Sequence, residues 1–269
     1  MAPQDLVDGT PCWIELSTPD LAGAKDFYTE LFGWECVPAG QPGHLIAHRD
    51  GYPVAGLRDR SAGGPTWRIY LAARDSAATA LRAEHLGARV LLDREDVPEL
   101  GGRVVLESPA GDEFGLLESS GPLRGDVGLP GTLTWAELVT IEAQAADVFF
   151  HGLFGYDGRQ FGTAHRSDYS VWYLGGESVL ARVSMIRKYV TPQTRPHWLL
   201  YLGVDPSAGT DALVHEAIAR GGRVRVDPYD TTMGRIAVLR DPAGARFGLV
   251  DSANAVLVAP TANEDPYDD

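Results

Sequence analysis

The chain contains the same sequence pattern twice. Residues 13–34 read WIELSTPDLAGAKDFYTELFGW and residues 135–156 read WAELVTIEAQAADVFFHGLFGY, a match at a constant offset of 122 positions without a gap. A second pair of motifs closes each half, PAGDEFGLLE at 109–118 and PAGARFGLVD at 242–251. Because a repeat of this kind is built from equivalent structural units, the chain is predicted to contain two homologous domains of about 120 residues each.

Short terminal and linking segments surround these two domains. Residues 119–131 read SSGPLRGDVGLPG and are rich in glycine and proline, which is typical of a linker. The chain ends in NEDPYDD, an acidic segment with the composition of a disordered tail. The predicted divisions are an N-terminal tail at 1–9, a first domain at 10–120, a linker at 121–131, a second domain at 132–252 and an acidic C-terminal tail at 253–269.

Composition excludes several classes of partner. The chain is 44% hydrophobic and 22% charged, which is typical of a soluble globular protein. It has 23 Lys and Arg against 37 Asp and Glu, a formal net charge of −14 that argues against a nucleic-acid or membrane-surface partner. Cys12 and Cys36 form neither a disulfide framework nor a metal-ligand spacing, and no secretory signal or membrane span is recognisable. A cytoplasmic protein is predicted.

Each half is itself predicted to contain two βαβββ units. Residues 13–17 alternate as a strand does, and Thr18-Pro19-Asp20 then provides the start of a helix that stops at Gly33. A second strand at 66–73 leads into a helix from Asp75 to about His85, and strand-like runs follow. The second half repeats this order. The predicted class is α+β, with four βαβββ modules in two homologous domains.

These motifs resemble the vicinal oxygen chelate superfamily. The pattern WxEL followed by FYxxLFGW and then by PAGxxFGL is similar to that of glyoxalase I, extradiol dioxygenases and bleomycin-resistance proteins, and it covers about residues 10–118 and 132–251. The resemblance implies mixed sheets that curl into open cups, with helices on the convex face and a ligand in the concave one. It does not by itself imply one chemistry, because such folds host many functions.

The resemblance also implies where a metal would be bound, on the first and last strands of the units. The six positions correspond to Trp13, Trp135, Gly115, Gly248 and the strand beginnings at 67–69 and 197–199. Indole and glycine provide no metal ligand, so that only His197 could serve. His44 and His48 lie about 13 Å apart on one predicted strand, too far to share an ion, and are interpreted as surface or hairpin residues. No metal and no cofactor are predicted.

Alternation along the strands predicts what lines the cups instead. Trp13 and Glu15 should point inward in the first domain, as should Trp135 and Glu137 in the second. On the last strands the same argument selects two glycines, expected to leave a void, and two residues of opposite charge. Further aromatic candidates come from neighbouring strands. These additional ligand-binding candidates are Trp67, Tyr70, Glu113, Gly115, Trp172, Tyr173, His197, Trp198, Tyr201, Arg246 and Gly248.

Each candidate also has a purely structural interpretation. The tryptophans are equally consistent with core packing, and Glu15 and Glu137 with structural salt bridges or hydrogen bonds at a strand edge. A carboxylate in an apolar cup would have a raised pKa and could act as an acid or a base. Glu113 in one half and Arg246 in the other differ in sign, which indicates that the two cups have diverged and that one alone binds ligand.

Four functions remain open on this evidence. The first is a metal-independent binding protein for a planar hydrophobic or aromatic small molecule, antibiotic or polyketide-like, in sequestration, resistance or biosynthesis. The second is a metal-free isomerase, cyclase or hydroxylase accessory that uses Glu15 or Glu137, with His197 or Arg246. The others are a metal enzyme with atypical ligands and a scaffold whose cups are filled by its own side chains. A monomer and a homodimer are both compatible with the sequence.

Overall fold

A computed structural model of the chain describes residues 6–60, 64–119, 129–161, 168–185, 191 and 194–255. Most of the predicted linker at 121–131 and most of the predicted tail at 253–269 lie outside these described residues, as do the first five residues of the chain.

The first half forms two successive βαβββ modules. In chain order they comprise β1 (Pro11–Thr18), α1 (Leu21–Phe32), β2 (Glu35–Pro38), β3 (His44–Arg49), β4 (Tyr52–Asp59), β5 (Thr66–Ala72), α2 (Ser76–His85), β6 (Arg89–Val97), β7 (Gly101–Glu107) and β8 (Glu113–Ser119).

The second half repeats the same order of elements. Its members are β9 (Leu133–Thr140), α3 (Ala143–Phe154), β10 (Asp157–Phe161), β11 (Asp168–Leu174), β12 (Glu177–Ser184), β13 (His197–Gly203), α4 (Thr210–Ala219), β14 (Arg223–Thr231), β15 (Gly234–Arg240) and β16 (Arg246–Asp251). The predicted α+β class and the four βαβββ modules are confirmed.

Each half folds into its own eight-stranded mixed sheet. The strand order is β2-β3-β4-β1-β5-β8-β7-β6 in the first sheet and β10-β11-β12-β9-β13-β16-β15-β14 in the second. The first strands of the two modules, β1 and β5, pair antiparallel at the centre, and each is flanked by the parallel last strand of its own module. The centre of each sheet is therefore built from the strands that carry the repeated motifs.

The first helix begins and ends where the sequence predicts. The carboxylate of Asp20 accepts a hydrogen bond from the backbone N–H of Gly23 at 2.9 Å, which caps α1. Gly33 ends α1 in the left-handed conformation, with φ of 67°. Gly155 ends α3 in the same way, with φ of 75°. The α-helices within the described ranges have ten or twelve residues, and none has the length and apolar character that a membrane crossing requires.

The first helix of each half, α1 or α3, contacts the sheet of the other half. Tyr28 on α1 lies with its ring 5.6 Å from that of Phe247 on β16, and its hydroxyl donates to Asp241 at 3.1 Å. In the second half, Phe150 on α3 lies 5.3 Å from Phe114 on β8. One apolar core therefore spans both halves on the helical side of the sheets. The opposite face of each sheet is the cup, and the two are named the first cup (β1–β8) and the second cup (β9–β16).

Candidate functional site

Glu15 lies at the centre of the first cup and is surrounded by polar groups. The Nη1 group of Arg103 donates to Oε2 of Glu15, and the Tyr70 hydroxyl donates to Oε1 at 3.3 Å. The Nε2 atom of His44 lies 3.4 Å from Oε2. Arg103 also donates through Nε to Glu95 at 2.8 Å. Side chains of the protein itself thus occupy the centre of this cup.

This arrangement corrects two predictions. Burial alone would raise the pKa of Glu15, but the contact with His44 and the charges of Arg103 and Arg68 outweigh it and lower the pKa to about 2. The first cup is therefore not the apolar environment in which a carboxylate would have a raised pKa. His44 is 2% exposed, so its interpretation as a surface residue is also wrong, although it does lie on a hairpin, formed by β3 and β4.

Gly115 and Gly248 do not open a void in either cup. Each glycine is paired across the sheet with a tyrosine, Gly115 with Tyr70 and Gly248 with Tyr201. A Cβ atom added to either glycine would collide with the ring of that tyrosine. The predicted extra space is therefore wrong, because the neighbouring tyrosine fills it and extends its hydroxyl to the central glutamate.

Glu137, the equivalent of Glu15, is buried at the centre of the second cup and accepts hydrogen bonds from two tyrosines. The hydroxyl of Tyr169 lies 3.0 Å from Oε1, and that of Tyr201 lies 3.1 Å from Oε2. Burial, reinforced by the charge of Glu137, raises the pKa of both tyrosines. Their hydroxyls therefore stay protonated and act as donors to the carboxylate.

Strand pairing aligns the two cups residue by residue. Arg68 is the partner of Glu15 on β5, and its equivalent, the partner of Glu137 on β13, is Leu199. His44 on β3 corresponds to Tyr169 on β11. His44 pairs with Arg58 and Tyr169 pairs with Val183, and these two partners occupy equivalent positions on β4 and β12. A side chain of the neighbouring strand thus contacts the central glutamate in both cups, whereas the arginine paired with it in the first cup is a leucine in the second.

The same alignment extends to the strands that lie beyond β5 and β13 in each sheet. Arg103 pairs with Leu117, and the equivalent Ile236 pairs with Val250. Across the hairpin, Arg103 lies opposite Glu95 and Ile236 lies opposite Tyr229. An ion pair in the first cup is thus replaced by an aliphatic and an aromatic side chain in the second.

The second cup has an apolar lining as a result. Its buried members are Val139, Met185, Leu199, Tyr201, Val226, Ile236, Val238 and Val250, with Trp135, Ile141 and Tyr229 packed against them. Trp135 is half-buried, whereas its equivalent Trp13 is 3% exposed among the apolar residues of the first cup.

A basic pair lies on the same face of the second sheet. Nη1 of Arg246 donates to Nε2 of His197 at 3.0 Å, and Nδ1 of His197 then donates to the carbonyl oxygen of Arg195 at 3.1 Å. Both side chains are half-buried. At the position of Arg246, the first sheet has Glu113, which accepts a hydrogen bond from Arg68. The sequence candidates His197 and Arg246 are therefore brought together.

Three tryptophans that were predicted to line the cups lie on the helical side instead. The indole of Trp67 donates to the Tyr28 hydroxyl at 3.2 Å, and that of Trp172 donates to Asp147 at 2.8 Å. Trp198 packs edge-on against Phe150 on α3, with the ring centres 6.0 Å apart. Each lies three residues from a tyrosine that points into a cup, and strand alternation sends residues three apart to opposite faces.

Tyr173 lies at the edge of the second sheet rather than near Glu137. A β-bulge separates it from Trp172, and the guanidinium carbon of Arg159 on β10 lies 4.1 Å from the centre of its ring. The ring is half-buried. Its role in ligand binding stays a prediction.

The donors at the superfamily's metal positions do not fit a metal ion. Trp13 and Trp135 provide indole rings, and the tyrosine rings lie against Gly115 and Gly248. His197 uses both ring nitrogens in hydrogen bonds. Across the described ranges, His, Cys, Asp and Glu side chains do not gather in groups of three or more that could hold a metal.

Comparison with known proteins identifies the family. The profile of the Glyoxalase-like domain matches residues 13–117. The chain is 33% identical over 264 residues to anthracycline biosynthesis protein DnrV of Streptomyces peucetius, in an alignment that covers 90% of this chain and 93% of that protein. It is 32% identical over 256 residues to putative glyoxylase CFP32 of Mycobacterium tuberculosis (strain CDC 1551 / Oshkosh), with 91% and 95% covered. The chain belongs to the vicinal oxygen chelate superfamily.

Solved structures of the superfamily share the fold. The Mn(II)-bound glyoxalase from Novosphingobium aromaticivorans superposes with a TM-score of 0.68 at 16% identity, over 93% of this chain and 85% of that one. The halotolerant catechol dioxygenase BphC superposes with a TM-score of 0.65 at 15% identity, over 91% and 87%. At these identities the likeness establishes the fold alone.

Sequence reasoning missed the residues that distinguish the two cups. Arg68 and Leu199 each lie two residues from a predicted tyrosine, so strict alternation from Tyr70 and Tyr201 would have selected them. Arg103 and its equivalent Ile236 lie on strands without a motif. Their approach to the central glutamate depends on pairing between strands that the local pattern does not specify.

Proposed function

We propose that this protein binds a planar, hydrophobic aromatic small molecule in the second cup, without a metal ion, as an accessory protein of aromatic antibiotic biosynthesis. One observation carries the proposal. Arg68 and Arg103, which approach the glutamate in the first cup, are replaced by Leu199 and Ile236 in the second. An apolar lining around a few fixed polar groups is the usual form of a small-molecule site.

The side chains of the second cup fit a flat aromatic ligand. Tyr229 provides aromatic surface beside the aliphatic lining, and an aromatic pair adds about 0.5–1.5 kcal/mol beyond the burial of area. The basic pair of His197 and Arg246 suits a phenolic or carboxylate oxygen at one end of the ligand. The lining therefore selects for flat rings with an acidic edge.

The relatives support the same class of ligand. DnrV and the DauV protein of Streptomyces sp. (strain C5), which is 31% identical over 272 residues, are both named as anthracycline biosynthesis proteins. The anthracycline nucleus is a planar polycyclic aromatic system, which is the chemistry that this lining accepts.

Alizarin, a planar tricyclic quinone with acidic phenols, is a suitable probe. We expect it to bind the full chain and to quench tryptophan fluorescence. Leu199→Arg, which introduces into the second cup the residue found in the first, should weaken binding by at least about tenfold, because a buried guanidinium would displace the rings. The matched exchange Arg68→Leu changes the other cup and should leave the affinity within about twofold of the parent protein.

Two results would count against this proposal. If alizarin and related hydroxyanthraquinones do not bind the folded chain, the second cup is not a site for flat aromatic molecules. If Leu199→Arg binds them as tightly as the parent, the site lies elsewhere. Elemental analysis of the active protein tests the metal-free part, which a stoichiometric transition metal would contradict.

A metal-free enzyme is the second candidate, favoured by the contacts of Glu137. Its carboxylate accepts hydrogen bonds from both Tyr169 and Tyr201, and Tyr169 is half-buried. A carboxylate held in this way could accept a proton from a bound phenol or from a carbon beside a carbonyl group. Glu137→Gln separates the two functions: an isomerase or cyclase would lose turnover and keep binding, whereas a carrier shows no turnover in the parent protein.

A further inference from the structure

We infer that the cleft between the two halves is a second binding site, specific for planar hydrophobic cations. It has a volume of about 810 Å³ and lies where β1 and β9 begin, against the starts of β4 and β12. This volume is within the range of small-molecule sites, which often lie between domains.

Each half contributes equivalent residues to this cleft. Residues 11–14 of β1 and residues 133–136 of β9 are related by the repeat, and both runs line the cleft. Pro53 and Val54 at the start of β4 have Ser178 and Val179 as their counterparts on β12. A pocket shared in this way by two related surfaces suits a flat molecule that lies between them.

The lining is mainly apolar and includes two indoles. Trp13 and Trp135 contribute alongside Ile14, Val54 and Val179. Within the described residues the indole N–H of Trp13 donates to no acceptor, although the atom is buried. Because that atom is closed off from solvent, the cleft offers a ligand the apolar faces of its lining rather than this N–H.

Charge decides which flat molecules the cleft prefers. Glu177, exposed at the start of β12, is the charged residue of the described lining, and the other polar side-chain groups are hydroxyls, the thiol of Cys12 and the N–H groups of the two indoles. Indole faces attract cations, and the formal net charge of −14 adds a general attraction. The second cup carries Arg246 and His197 instead, so that the two sites select ligands of opposite charge.

Proflavine, a planar tricyclic cation close to alizarin in size, tests this site by isothermal titration calorimetry on the full chain. One proflavine should bind per chain. Ser178→Trp places an indole in the cleft from an exposed position and should weaken proflavine binding by at least about tenfold. Glu177→Gln should weaken it by about two- to fivefold, with a smaller effect at high salt, because the residue is exposed.

Matched controls separate these effects from general ones. Ala77→Trp adds an indole at an exposed position on α2, and Glu84→Gln removes the same charge from that helix. Both should bind proflavine as the parent does. If Ser178→Trp binds proflavine unchanged, or if Ala77→Trp weakens it equally, the cleft is not the site.

The outcome is distinguishable from that of the proposed function. Ser178→Trp should bind alizarin as the parent does, because alizarin is assigned to the second cup. Loss of both dyes in this one variant, with folding intact by circular dichroism, would overturn the assignment of two separate sites. If proflavine does not bind the parent protein but alizarin does, the cleft site is overturned and the proposed function is unaffected.

Discussion

The two cups have the same backbone and the same central residues, yet they are different environments. Each has a buried glutamate on its first strand, a tyrosine hydroxyl bound to it and a glycine beneath the tyrosine ring. In the first cup Arg103 and Arg68 approach the glutamate, and in the second Ile236 and Leu199 take their places. Duplication thus kept the centre of the site and changed its surroundings.

Under the proposed function, this difference gives the two halves separate roles. Arg103 and Glu15 make an ion pair that is almost completely removed from water, which requires that both partners remain. The first cup accordingly resembles the scaffold predicted as one possibility, in which the cup is filled by its own side chains. The second cup has the apolar lining that the proposed ligand requires.

The largest expected effect comes from breaking the ion pair of the first cup. Arg103→Leu leaves Glu15 buried beside fewer cations and should lower the free energy of unfolding by about 3–5 kcal/mol. The matched change Ile236→Val in the second cup should cost about 1 kcal/mol. Urea denaturation of both variants measures the contrast.

A double variant sharpens this result. Glu15→Gln combined with Arg103→Leu removes both charges and should recover part of the stability that Arg103→Leu loses. Equal losses for Arg103→Leu and Ile236→Val would show that the two cups do not differ in the way described.

The pH dependence of stability tests the same ion pair with a somewhat smaller effect. Because the pKa of Glu15 is about 2 in the folded protein and near 4.5 in the unfolded chain, its ionised form stabilises the fold above about pH 4.5. That contribution is lost as the pH falls from 4.5 towards 2. The difference in unfolding free energy between the parent and Glu15→Gln should therefore shrink by roughly 3 kcal/mol over this range.

Urea titrations at successive pH values measure this difference. Glu84→Gln, at an exposed position on α2, serves as the control and should follow the parent throughout. A gap between the parent and Glu15→Gln that stays constant with pH would contradict the charged network around Glu15.

The smallest expected effect tests what the cups share. Gly115→Ala and Gly248→Ala each place a methyl group against a tyrosine ring, and each should lower stability by about 1–3 kcal/mol through overpacking. Gly64→Ala is the control, because a Cβ there has nothing within 4 Å. Thermal denaturation measures all three. If Gly115→Ala lowers the stability and Gly248→Ala does not, the tyrosine packs differently in the second cup.

Much of the fold could be predicted because it is encoded in short patterns. The cap at Asp20, the stop at Gly33 and their repetition at an offset of 122 positions define the modules before any contact is known. Strand alternation also predicted that Glu15 and Glu137 point into their cups, where each accepts a hydrogen bond from a tyrosine. The errors at Trp67, Trp172 and Trp198 came from choosing residues by type rather than by alternation.

The sequence alone determined the duplicated architecture, the superfamily and the residues at the centre of each cup, because these depend on local periodicity and on motifs that occur twice. Only the tertiary structure decided that arginines lie beside the glutamate in one cup and that Leu199 and Ile236 take their positions in the other. Arg103 lies 88 residues from Glu15 in the chain. Ile236 lies on β15, which is separated from the strand of Glu137, β9, by β13 and β16. Such neighbours are set by register across a sheet, and a local pattern carries no information on register.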